Sequence, residues 1–291
     1  FGASSSAGAT GRSYLVYGKA NTAAVSLVNV AAGVGGFVMD WNVVNDGNGA
    51  SVSSAGDVNG DGLDDLIVGA YAANGSAGKS YVVFGTANTT AVNLASVAAG
   101  TGGFVINGVA ASDYSGIAVS SAGDVNGDGL ADLIIGAGNA APAGATNAGK
   151  SYVVYGQTGT SAINLSAIAA GIGGFVINGE SANDLSGIRV SNAGDVNGDG
   201  IGDLIVGAYA ATTSGGSGAG KSYVVFGTTN TAPVNLSAIA AGTGGFVIKG
   251  ASTGDGSGIS VSSAGDVNGD GLDDLIVGAY QADPATGAGA G

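Results

Sequence analysis

Short apolar runs bounded by glycine recur along the whole chain. One period, read from Asp113, contains four of them. Residues 117–122 (IAVSSA) alternate large and small side chains, the period-2 pattern of a half-buried strand. Residues 133–137 (LIIGA), with Ile134 and Ile135 β-branched, form a short apolar run that reads as a strand. A polar, Gly-rich stretch at 138–149 leads to residues 150–156 (KSYVVYG), and a longer connection leads to residues 174–179 (GFVING). That connection carries INLSAIAA at 163–170, whose apolar spacing fits one helical turn or an extended ledge equally well. Four short strands joined by turns match a propeller blade. The expected fold is therefore all-β: a β-propeller of four-stranded antiparallel blades.

The same pattern repeats about every 70 residues, so the chain is one array of repeats. Residues 46–112, 113–183 and 184–254 are whole repeats. Residues 1–45 supply the last two strands of a partial blade, at 13–18 and 36–40, and residues 255–291 supply the first two of another. The two partial pieces are expected to complete each other. Both chain ends fall in the same inter-strand loop, so residues 1–291 read as a segment of a longer polypeptide.

Between the first and second strands of each repeat lies the nonapeptide D-V-N-G-D-G-x-x-D, at 57–65, 124–132, 195–203 and 266–274. Each copy follows Ala-Gly and precedes Leu-Ile. Side-chain oxygens at its positions 1, 3, 5 and 9 converge if the backbone wraps around a point, and the glycines at 4 and 6 permit the wrapping. Three carboxylates, one amide oxygen and the carbonyl of position 7 make a hard oxygen cage suited to Ca²⁺. The candidate ligands are Asp57, Asn59, Asp61, the Leu63 carbonyl and Asp65; Asp124, Asn126, Asp128, Leu130 and Asp132; Asp195, Asn197, Asp199, Ile201 and Asp203; and Asp266, Asn268, Asp270, Leu272 and Asp274. Four Ca²⁺ sites are expected.

An EF-hand loop also opens D-x-N-x-D-G. Its twelfth position is a bidentate Glu, whereas here that position is Val68, Ile135, Val206 or Val277, inside a strand-like run instead of a helix. The plain alternative is an Asp/Gly-rich turn that binds nothing. Retention of the whole pattern in four copies favours the metal.

The stretch 49–70 (GASVSSAGDVNGDGLDDLIVGA), followed by residues 79–85, resembles the FG-GAP repeat, and the resemblance covers the chain four times. That repeat builds the β-propeller of integrin α subunits and occurs in bacterial surface and secreted proteins. The resemblance implies Ca²⁺ in the loop between the first two strands of a blade, and inserts such as 88–103 look like the bacterial members. The chain departs from the family pattern in two places. The expected Phe-Gly is replaced by Gly49-Ala50, Gly116-Ile117, Gly187-Ile188 and Gly258-Ile259, and Gly-Ala-Pro becomes Gly-Ala-Tyr or Gly-Ala-Gly. Family propellers usually have seven blades against four here, which bears on ring closure and not on the blade.

The net charge is −14, and over half of the acidic residues sit at the loop positions, so the acidity is mostly a feature of metal binding. Seven scattered basic residues give no clustered footprint for nucleic acid. No apolar run is long enough for a transmembrane helix. The 59 glycines lack the Gly-X-Y period of collagen. His and Cys are absent and the serines have no general-base partner, so no catalytic residue is assigned and no enzyme is expected.

Four further recurrences have modest readings. Asp46, Asp113, Asp184 and Asp255 fit an Asx-type turn before the first strand, or an outer ligand. Arg12, Lys79, Lys150 and Lys221 read as surface cations guarding strand edges. Tyr14, Tyr81, Tyr152 and Tyr223 face the opposite side from Tyr17, Phe84, Tyr155 and Phe226, and one set is expected to fill the space between blades. The sequons at Asn74, Asn88, Asn164 and Asn235 are explained by repetition in an Asn/Ser/Thr-rich chain.

The leading functional expectation is a calcium-binding extracellular or cell-surface module for adhesion or structural assembly, with protein, carbohydrate or copies of itself as partners. A propeller that recognises a sugar or protein ligand comes second, and an accessory domain of a larger secreted enzyme comes third.

Overall fold

The computed structural model describes residues 11–40 and 43–283, and strands dominate it. The first whole repeat folds as Asn48–Gly56, Asp65–Ala70, Lys79–Val83 and Gly103–Asn107. The second runs Ala118–Gly123, Asp132–Ala137, Lys150–Val154 and Gly174–Asn178. The third runs Arg189–Gly194, Asp203–Ala208, Lys221–Val225 and Gly245–Lys249. In each, the four strands pair antiparallel in sequence order. Short connections between the first three strands favour this meander, because each strand finds its neighbour with little loop to close, while the fourth returns after a longer connection.

The ambiguous connection is both of its alternatives in succession. Ile163–Asn164 is a two-residue strand, and Leu165–Ala169 is a single helical turn. The strand joins the preceding sheet in parallel, Ile163 opposite Ile106 and Asn164 opposite Asn107. Asn107 Nδ2 donates to Asn164 Oδ1 at 3.2 Å, and Asn178 Nδ2 donates to Asn235 Oδ1 at 3.1 Å. The sheets of the first two whole repeats thus have five strands instead of four, the fifth borrowed from the next repeat. Leu165 and Ile168 then drop into the core from the helical turn.

The core is a series of layers between successive sheets. Ile67, Val82 and Phe104 of one repeat meet Leu133, Ile135 and Tyr152 of the next. Ile134, Val153 and Phe175 on the other side of that sheet meet Leu204, Val206 and Tyr223. Strand side chains alternate faces, so each sheet contributes to two layers. Both aromatic sets serve this packing. Tyr81, Tyr152 and Tyr223 are fully buried on one face. Phe84, Tyr155 and Phe226 pack on the other, edge-on to Phe104, Phe175 and Phe246 at 5.9–6.4 Å.

Two expectations are corrected. The Lys-Ser-Tyr strands are central in their sheets, so Lys79, Lys150 and Lys221 do not guard edges. Lys221 is instead buried and bridges Glu180 at 2.6 Å. The partial pieces also do not complete each other. Arg12–Val16 and Gly36–Asp40 form one sheet with Val92–Asn93, while Ser257–Gly265 and Asp274–Ala279 form a separate one. Among the described residues the array is therefore open at both ends, and no helix is long and apolar enough to cross a membrane.

Candidate metal centre

Each D-V-N-G-D-G loop closes the hairpin between the first and second strands of its repeat. The register slips just before every loop, between Ser54 and Gly56, Ser121 and Gly123, Asn192 and Gly194, and Ser263 and Gly265. The bulge glycine has positive φ, as at Gly123 (φ 74°). A bulge with glycine in that conformation bends the strand and re-aims the loop residues after it. The Ala-Gly before each nonapeptide was the signal for it.

The loop backbone is already wrapped. Gly60 and Gly62 have φ of 77° and 88°, and the same positions do so in every copy. Asp57 sits at the centre of the wrap. Its Oδ1 accepts from the N–H of Gly60 at 2.7 Å and of Asp61 at 3.1 Å, and its Oδ2 accepts from the N–H of Gly62 at 2.8 Å. Asn59 Oδ1 accepts from Asp61 N–H at 2.8 Å. Asp61 Oδ1 accepts from Leu63 N–H at 2.9 Å. Asp124, Asn126 and Asp128, then Asp195, Asn197 and Asp199, then Asp266, Asn268 and Asp270 repeat this set. The loop therefore folds by local Asx turns, which is why Asp and Asn alternate with glycine at this spacing.

Position 9 ties the loop to the sheet. Asp65, Asp132 and Asp203 are completely buried. Asp132 Oδ2 accepts from Val125 N–H at 2.9 Å inside its loop, and Oδ1 accepts from Gly156 N–H at 2.8 Å beyond the third strand. Burial pushes its carboxyl up to about 7, helped by the negative charges of Asp128 and Asp124 and opposed by those two N–H groups. Burial likewise raises Asp65 and Asp203. At position 1 the balance is reversed: the N–H of Gly62 lowers Asp57 and that of Gly200 lowers Asp195. Asp274 makes the same position-9 contact with Val267 N–H at 2.8 Å but is only half-buried, because no third strand covers it among the described residues.

Hard oxygen donors, a pre-wrapped backbone and no basic side chain in any loop fit a divalent cation of the calcium type. The fit is one of donor chemistry. Among the described residues, no three acidic side chains are gathered into a closed cage. Their oxygens rest on backbone N–H groups, and the charges at positions 1 and 5 raise the carboxyl at position 9.

The loops also touch one another. Ala131 N–H donates to the Asp57 carbonyl at 2.9 Å, Gly202 N–H to the Asp124 carbonyl at 3.3 Å, and Asp273 N–H to the Asp195 carbonyl at 3.1 Å. Position 8 of the second, third and fourth loops thus rests on position 1 of the loop before it. Asp273 adds a side-chain contact, its Oδ2 accepting from Asp195 N–H at 2.8 Å. Position 8 varies among Asp64, Ala131, Gly202 and Asp273, so the sequence marked it as free, whereas its backbone makes the link.

The second acidic series takes the turn role. Asp46 Oδ1 accepts from Asn48 N–H at 3.0 Å, Asp113 Oδ2 from Ala110 N–H at 3.2 Å, and Asp255 Oδ2 from Ser252 N–H at 2.8 Å. Lys79, Lys150 and Lys221 act electrostatically on Asp46, Asp113 and Asp184, lowering carboxyls that burial raises.

No curated protein matches the chain. The FG-GAP repeat matches it four times, at residues 48–83, 115–154, 186–225 and 257–291. Each segment begins at or near a first strand, contains one D-V-N-G-D-G loop, and extends into or beyond the Lys-Ser-Tyr strand where that strand is described. Together the four segments take in more than half of the residues, and the chain belongs to the FG-GAP repeat family.

Proposed function

We propose that this chain is a calcium-stabilised module of extracellular or cell-surface proteins, serving adhesion or structural assembly. Its sheets are the blades of a propeller-type array, and each of the four loops takes one Ca²⁺ through its positions 1, 3, 5, 7 and 9. The observation that carries the reading is the fourfold loop itself, wrapped the same way on the same hairpin in every repeat. Family membership supports it, since FG-GAP repeats bind calcium in some proteins and are typical of extracellular, integrin-like ones. The chain acts by binding or scaffolding and catalyses nothing. In the whole repeats both recurring aromatic sets are used up in packing between sheets, so they do not favour a sugar platform over a protein partner or further copies of the same module.

The test is stoichiometry. Protein stripped with chelator, desalted and titrated calorimetrically should take up four Ca²⁺ per chain with sub-millimolar to millimolar affinity. Mg²⁺, which demands a tighter octahedral shell, should bind far less well. Absence of Ca²⁺ uptake refutes the ligand assignment.

A further inference from the structure

Asparagine followed by glycine is the step at which a peptide chain most readily loses ammonia, because no Cβ obstructs attack of the next backbone nitrogen on the side-chain amide. The chain holds eight such steps, and the structure ties down seven of them. Four lie in the D-V-N-G-D-G loops. Asn59 Oδ1 accepts from Asp61 N–H at 2.8 Å, and Gly60 N–H is held by Asp57 Oδ1 at 2.7 Å. Asn126, Asn197 and Asn268 are held in the same way. Asn107 and Asn178 donate to Asn164 and Asn235, and the N–H groups of Gly108 and Gly179 donate to the Gly78 and Gly149 carbonyls at 2.9 Å. Asn48 is buried, and its Nδ2 donates to the Gly11 carbonyl at 3.2 Å.

Asn74-Gly75 is the exception. Both residues are exposed, in the turn between the second and third strands of the first whole repeat. The Asn74 side chain makes no hydrogen bond among the described residues. Nothing stands within 4 Å of where a Cβ of Gly75 would be. Three successive residues here are left-handed: Asn74 (φ 53°, ψ 51°), Gly75 (φ 65°, ψ 33°) and Ser76 (φ 66°). That conformation is strained for L-residues, so the rotation of Asn74 that brings its amide to the Gly75 nitrogen releases strain. Only one long bond opposes the rotation, from Ala77 N–H to the Asn74 carbonyl at 3.3 Å.

We propose that Asn74 is a deamidation site of the folded protein, and that its conversion to isoaspartate loosens the joint between the first two whole repeats. The Gly75 nitrogen bonds to Cγ of Asn74, the bond from Cγ to the side-chain nitrogen breaks, and the Gly75 proton leaves with that nitrogen as ammonia. Water then opens the resulting succinimide, giving aspartate or, with the main chain rerouted through Cγ, isoaspartate. The product carries one new negative charge, and the isoaspartate form carries one extra methylene in its backbone. The residues just after it make the joint. The Gly75 carbonyl accepts from Ser112 N–H at 3.3 Å and the Ser76 carbonyl from Tyr114 N–H at 2.9 Å, and the ring of Tyr114 meets Tyr71 edge-on at 5.8 Å. A longer backbone at residue 74 displaces both carbonyls. The later joints repeat the hydrogen bonds without the reactive step. Asn183 and Leu185 donate to the Thr146 and Asn147 carbonyls, and Gly254 and Gly256 donate to those of Ser217 and Gly218. The residues that correspond to Asn74 are Ala145 and Gly216, so the first joint alone ages by this route. The proposal depends on neither calcium nor the role of the module.

The test is ageing of the native protein in alkaline buffer with millimolar Ca²⁺, and of the same protein in urea. Samples are digested at intervals, each converted residue is located by fragmentation in the mass spectrometer, and isoaspartate is scored by methyl transfer from an isoaspartyl methyltransferase. In the native protein Asn74 should convert at least about tenfold faster than any other Asn-Gly step, the factor that about 1.4 kcal/mol of hydrogen bonding at each locked step supplies. In urea the eight steps should convert at similar rates. Native conversion of Asn74 no faster than that of the others overturns the proposal, as does the same preference in urea, which would trace it to local sequence and not to the fold. For the joint, the urea midpoint of the aged protein should fall as isoaspartate accumulates. Asn74→Gln, which does not convert on this timescale, should keep its midpoint on ageing, and Asn74→Asp, which adds the charge without the methylene, should stay close to the fresh protein. An aged chain rich in isoaspartate whose midpoint has not moved overturns the loosening of the joint.

Discussion

Calcium removal should destabilise this protein far more at pH 8 than at pH 5.5, and Asp132 shows why. Its carboxyl is completely buried and is pushed up to about 7, from 3.8 in an unfolded chain. Between those values the metal-free folded chain holds a proton that the unfolded chain has released. Stability then falls as pH rises through the window, and the loss is complete once the pH passes the folded value. A shift of that size corresponds to on the order of 4 kcal/mol. Asp65 and Asp203 are raised for the same reason and add to the loss in the same direction. Asp57, Asp195 and Asp266 are lowered, so their contribution is present above 3.8 and lost only in more acid solution, outside this window. Bound Ca²⁺ needs the ionised form and should cancel the loss. At ten times Kd each site adds about 1.4 kcal/mol by mass action, so four independent sites add roughly 6 kcal/mol. For a chain of this size that amounts to roughly 10–20 °C in Tm. The assay is thermal melting of chelator-stripped, desalted protein at both pH values, with and without millimolar Ca²⁺. Metal-free protein as stable at pH 8 as at pH 5.5, or a Ca²⁺ gain equal at the two, would refute the reasoning.

Asp128→Ala should lower the calcium stoichiometry by one and also weaken the neighbouring sites, since the second loop is hydrogen-bonded to the first and third; calorimetric titration reads both effects. Leu165→Ala should cost about 2–5 kcal/mol in urea unfolding, because it empties a fully buried position. Leu27→Ala, half-exposed at the open end, should cost well under half as much in dilute protein. Gly136→Ala should cost at least about 1–3 kcal/mol in the same assay, because a Cβ there would overlap the Gly187 carbonyl oxygen of the next sheet; an unchanged midpoint would mean that the sheets are not held that closely.

The sequence by itself determined the repeat, its four long strands and the wrap of the D-V-N-G-D-G loop. These are local properties. Alternation reports one strand's two faces, and Asx turns with positive-φ glycines close within six residues, as the contacts from Asp57 to Gly62 show. Tertiary structure decided what depends on a neighbour. The Ile163–Asn164 strand exists because the preceding sheet offers it an edge, and the isolated octapeptide could only be read both ways. Lys221 lies in a central strand beside Glu180, a partner 41 residues away that no local pattern announces. Position 8 of the loops carries no signature because the link it makes runs through the backbone, where side-chain identity leaves no trace. The burial that pushes Asp132 up to about 7 likewise comes from the sheets packed around it, which no local pattern announces. The two end pieces were legible as halves of one repeat; the fold placed them in separate sheets, since pairing them would require the array to close on itself, and no strand pattern along a chain specifies the angle between successive sheets.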